Sequence, residues 1–142
     1  MSCSGWLLRK ESLLEWAKKL LIWTAIPHTF ALIARSVLSG YPPVTNLYSS
    51  AIFIGWGAVI MGIIIEGGFK KRASGMGSLL GGVTGFCTLL IAHFLAGEGD
   101  TLEQMRAVLD TRFWLATHVT TITLGYMATF IAGVAGIVYI IS

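Results

Sequence analysis

Three histidines stand inside long apolar stretches: His28 in WTAIPHTFALIAR, His93 in LLIAHFLAGEGD and His118 in RFWLATHVTTITLGYMATF. An imidazole is a metal ligand and a proton carrier near neutral pH, and ionisable groups at membrane depth are costly and often functional. His118 lies about five residues inside the last stretch and His93 about three residues from the end of the stretch before it. At ~1.5 Å per residue, both fall within a turn or two of one membrane surface. Two imidazoles at matched depth on neighbouring helices can ligate one haem iron from both sides. The same spacing also describes two imidazoles that hydrogen-bond adjacent helices or sit in interfacial water. His28 lies near mid-bilayer, directly after Pro27, which frees a carbonyl one turn earlier; a polar side chain there can repair the break.

Other chemistry is sparse. The sequence has no GxxxxGK[ST], GxSxG or HExxH, and no protease-like Ser/His/Asp spacing. Cys3 and Cys87 form no CxxC or zinc pattern. Glu66 and Lys70, four apart, suit an interfacial ion pair without chemistry. The carboxylates stay out of the bilayer centre, which argues against a proton-coupled pump. Thr117, Thr121, Gly125, Thr129 and Gly133 recur every four residues, a small-residue stripe that admits a second helix closely and lets threonine hydroxyls bond across the contact. His118 and Tyr126 sit two turns apart beside it, so the pair can line a flat ligand's surface. Tyr48 and Trp56 share a face of another stretch and can form a rim for an apolar ligand.

These residues need elements to hold them. Of 142 residues, 55% are hydrophobic and 12% charged, and mean hydropathy is +0.76. A water-soluble domain of this size cannot hide so much apolar surface, and the apolar residues fall in blocks too long for barrel strands. The fold class is all-α, a polytopic membrane protein with four transmembrane helices at 20–38, 49–67, 77–96 and 113–141, forming one transmembrane domain over 1–142. Residues 1–19 read as a short N-terminal interfacial helix that runs into the first span, with no signal-peptide cleavage pattern. Thr45 or Asn46 can cap the second span, after Pro42 and Pro43, and 100–110 has the period of a short surface helix capped by Asp100 or Thr101.

Charge sets the orientation. Arg9, Lys10, Lys18, Lys19, Lys70, Lys71 and Arg72 flank one side, and Arg35, Arg106 and Arg112 the other, which puts both termini in the cytoplasm. The net charge of +3 follows from these loops and is no nucleic-acid footprint. The last span stops on GIVYIIS with no cationic anchor, which reads as a piece of something longer or as an end that a partner covers.

Two segments carry a family resemblance. RSVLSGYPPVTNLYSSAIFIGWG resembles the GxxPxxNxYES segment and following apolar helix of CcsA/ResC-type cytochrome c assembly proteins. AVLDTRFWLATHVTTITLGYMATFIAG is similar to their next signature, a W-L pair followed by HV and a later tyrosine. Order, spacing and sidedness match, and together the two segments bracket Arg35 to Gly133, most of the chain, as the N-terminal half of such a protein would. Tyr48 is followed by Ser49 where the commoner pattern has Glu, and the family's tryptophan-rich external segment is absent.

The resemblance implies a multispan protein of a bacterial inner (plasma) membrane or its equivalent, which presents haem at the outer face for attachment to apocytochrome c, together with other assembly membrane proteins. It implies at most a component of a haem-attachment (cytochrome c synthase) system. It assigns His118 as an axial ligand of the haem iron, and carries over Pro43, Asn46, Tyr48, Trp114 and Tyr126 as motif residues. His93 is a second ligand by depth alone. Two further readings stay open: a small b-type electron carrier using His93 and His118, and a cofactor-free membrane assembly subunit.

Overall fold

The computed structural model describes residues 11–68, 75–97 and 111–141. All four elements are helices: α1 (Glu11–Ser39), α2 (Leu47–Gly68), α3 (Met76–Ala96) and α4 (Arg112–Ile141). Each is long and apolar enough to cross a membrane. The expected spans fall inside them. The interfacial segment is expected over 1–19; of it, 11–19 is helical and continuous with the first span, while 1–10 lies outside the described residues. So do Lys70, Lys71, Arg72 and the helix expected at 100–110.

The close pair is α2 with α3, an antiparallel hairpin held by glycines. A Cβ built on Gly62 would stand 2.5 Å from the Gly77 carbonyl oxygen and 2.9 Å from the Gly81 Cα. One on Gly81 would stand 2.9 Å from the Ala58 carbonyl, and one on Gly55 would stand 2.7 Å from the Thr88 hydroxyl. Without side chains at these points the two backbones touch, and dispersion between them replaces the hydrophobic drive that lipid removes. Half of the α2 span is buried, against 11% of the α4 span.

The other helices lean on this hairpin. Leu21 and Ala25 of α1 pack on Val59, and Leu32 meets Val44 and Phe53 near the other end. Met127 and Ile131 of α4 join Ile54, Ala58 and Leu80. α1 stops at Gly40, whose φ of +67 turns the chain while its N–H bonds to the Ser36 carbonyl at 3.0 Å, a left-handed glycine stop.

Candidate functional site

The segment GYPPVTNLYSS folds as a tight start for α2. Asn46 is the cap, and its Oδ1 accepts from the Ser49 N–H at 2.8 Å. Ser49 answers in reverse, its Oγ accepting from the N–H groups of Thr45 at 2.8 Å and Asn46 at 2.9 Å. This is the reciprocal arrangement of a capping box, in which the third helical residue reaches back to the cap. Ser49, fully buried, takes the place that Glu or Gln holds in the usual capping box.

Tyr48 and Trp56 form no open rim. The Tyr48 ring lies 5.5 Å from the Arg35 guanidinium, and Trp56 Nε1 donates to Thr29 Oγ1 at 2.8 Å. Both fasten α2 to α1. The second of these bonds spans two helices within the membrane, where an unpaired indole N–H would be costly.

His118 projects from the open side of α4. The buried residues of α4 are Thr123, Met127 and Ile131. Nine residues separate His118 from Met127, about two and a half turns, so the imidazole points away from the packed ridge. Trp114 and Tyr126 are also exposed; Trp114 stands one turn before His118 and stacks edge-on with Phe113 at 5.5 Å. The threonine stripe differs from its expected role in this chain. Thr117, Thr121 and Thr129 donate to carbonyls of their own helix, those of Phe113, Thr117 and Gly125. A Cβ on Gly125 or Gly133 would meet nothing within 4 Å. In an apolar solvent a hydroxyl without an external partner returns to the carbonyl one turn back.

His93 is exposed and stacks edge-on with Phe94 at 6.0 Å. It continues the Gly82, Phe86, Leu89 line of α3, and those residues face the groove beside α1. Leu80, which meets α4, is thirteen residues from His93, about 3.6 turns, and so lies well round the helix from it. The helix phases therefore do not aim His93 and His118 at one another within this chain. His28 does not repair the break at Pro27: α1 stays continuous there, and the imidazole hydrogen-bonds to the Ile52 main chain.

Glu66 is the residue whose work the sequence hid. It is buried, and its carboxylate accepts from the Gly75 N–H at 2.7 Å and the Ser78 N–H at 3.2 Å. It caps α3 from the end of α2, with Gly75 in the left-handed region. Negative charge is favourable at a helix N-terminus, which leaves the first N–H groups unpaired.

Together these features define a multi-pass helical membrane protein with a rigid glycine hairpin, an ordered loop at one end and an imidazole on the free face of its last helix. The chain is 32% identical over 110 residues to the "Cytochrome c biogenesis protein CcsA" of Microcystis aeruginosa, covering 76% of this chain and 32% of the relative. It is 31% identical over 112 residues to the protein of that name in Nostoc punctiforme, with 76% and 30% covered. For that of Cycas taitungensis it is 30% identical over 135 residues, with 92% and 40% covered. The chain is a partial CcsA-type protein, spanning about a third of these relatives' length where the resemblance implied half. No protein-family model and no solved structure matches it.

Proposed function

We propose that the chain works in cytochrome c biogenesis, as part of a membrane assembly that handles haem at the outer face and presents it for attachment to apocytochrome c. The relatives' names support the process. The observation that carries the haem role is the exposed imidazole of His118 on the unpacked side of α4, with the Trp114 indole one turn away and the Tyr126 ring two turns away.

These residues fit one side of a haem. His118 supplies a nitrogen ligand, Trp114 and Tyr126 supply aromatic surface, and lipid or a further helix keeps water from the ring. Bound there, haem supplies the vinyl groups and iron that the attachment chemistry needs. The chain's own part is to hold the ring in place and fix the imidazole's height in the membrane. Asn46 and Tyr48 shape the loop at the same end of the bundle, with the termini in the cytoplasm and the membrane a bacterial plasma membrane or its equivalent. His93 lies on the α1 side of α3, away from His118, so a second residue to hold haem beside His118 would come from elsewhere.

The test is a haem titration of the purified chain in lipid nanodiscs, read by absorption in both oxidation states. His118→Ala is expected to shift the bands and weaken binding by about tenfold or more, the loss of one good metal ligand. An unchanged spectrum removes His118 from the site.

A further inference from the structure

The first helix is longer than the membrane it crosses. α1 has 29 residues, against 22 in α2 and 21 in α3. At ~1.5 Å per residue it measures about 43 Å, where a hydrocarbon core is ~30 Å thick. Its far end is fixed to the hairpin: Leu32 packs on Val44 and Phe53, and the chain enters α2 a short loop later, at Leu47. The surplus therefore lies at the start of α1. Ala17 and Ser78 border the same end of the cleft between α1 and the hairpin, and Ser78 stands in the first turn of α3. Lys18 and Lys19 are thus level with the end of the hairpin, at the edge of the hydrocarbon, and the turns before them reach toward water.

This boundary turn presents positive charge. Lys18 is half-buried and Lys19 exposed. The Lys19 ammonium lies 5.1 Å above the Trp16 ring, and that indole is 57% exposed. Both residue types suit the headgroup layer, with the lysine stems along apolar surface and the ammonium groups among polar heads. The carboxylates of this end are placed elsewhere. Glu66 gives its oxygens to the Gly75 and Ser78 N–H groups. Glu15 lies three and four residues before the lysines, ~5 Å farther from the hydrocarbon. Among the described residues neither lysine is ion-paired. An ammonium has three donors, so the ring face that Lys19 covers leaves it free to meet an anion as well.

We propose that Lys18 and Lys19 hold the headgroup of a net-anionic phospholipid, its phosphodiester between the two ammonium groups and its glycerol backbone beside Trp16. The match is one of charge and depth. Lipid phosphates lie in the layer where α1 places these groups, and each cation near an anionic membrane surface favours it several-fold. A zwitterionic head brings its own positive charge to the same place and fits less well. The site is on a different helix from the one that bears His118. It rests neither on the haem reading nor on which side of the membrane α1 begins.

The test is native mass spectrometry of the purified chain from mixed micelles with equal amounts of phosphatidylglycerol and phosphatidylcholine, read as the ratio of the two lipids retained. Wild type is expected to prefer phosphatidylglycerol about tenfold or more. Lys18→Gln with Lys19→Gln is expected to lower that ratio about tenfold, and Lys18→Arg with Lys19→Arg to keep it. Arg9→Gln with Lys10→Gln removes the same charge from the same flank and leaves most of the preference, which separates a site from net charge. Helical circular dichroism and elution volume stay as in wild type for all three. Excess inorganic phosphate displaces none of the lipid. The proposal is overturned if wild type retains the two lipids equally, if the Lys18/Lys19 glutamine variant keeps the wild-type ratio, if the two glutamine pairs lower it alike, or if inorganic phosphate competes the lipid away.

Discussion

At the scale of single residues, the polar side chains divide by what they hold. Asn46 and Ser49 close one helix start, Glu66 closes another, and among the described residues His118 holds nothing. The first cap was legible in advance as Thr45 or Asn46, because a cap and the N–H it serves lie three positions apart, and the structure uses Asn46. Glu66 was not, because its partners are Gly75 and Ser78, nine and twelve positions downstream. Sequence spacing placed it against Lys70; the fold places it under the next helix. Hydrogen bonds to a buried charge contribute about 1.5–3 kcal/mol each. Glu66→Ala is therefore expected to destabilise the hairpin by a few kcal/mol, while Glu66→Gln, which keeps an acceptor, loses less. Thermal unfolding in detergent, followed by circular dichroism, measures both; equal midpoints for wild type and Glu66→Ala would remove the cap from the account.

At the scale of helices, glycines with the same spacing do different things. Those at 55, 62, 77, 81 and 85 bring α2 and α3 into backbone contact, whereas Gly125 and Gly133 face open space. Hydropathy located all four spans, since an apolar block of ~20 residues is unambiguous. It did not say which glycine line would be used, because adjacency depends on which helix arrives, and lipid and protein are equally apolar neighbours. Gly62→Ala is expected to force the hairpin apart, since its Cβ would stand 2.5 Å from the Gly77 oxygen, at a cost comparable to overpacking a core, about 1–3 kcal/mol or more. Gly125→Ala leaves the stability of the chain unchanged. A disulfide-trapping series between α2 and α3 reads the first outcome and thermal unfolding reads both.

At the scale of the whole molecule, orientation rests on lysine and arginine placement. Leu47 and Gly68 bound the two ends of α2, and both are exposed. In a background with Cys3 and Cys87 replaced by serine, Leu47→Cys is expected to react with an impermeant maleimide from outside the cell and Gly68→Cys only after lysis; the reverse would invert the topology. The candidate haem site was legible as one imidazole on one helix. Its completion was not, because the relatives are about three times as long as the matched region and His118 is exposed among the described residues.

The uneven packing also grades the molecule mechanically. The α2–α3 hairpin is locked along its length by backbone contact, whereas α4 touches its neighbours along one narrow ridge. A pulling force would separate α1 and α4, which each lean on the hairpin through a few side chains, before it opened the glycine hairpin itself. His118 therefore rides on a helix whose height is set by that ridge and by the surrounding lipid, while the hairpin stays anchored.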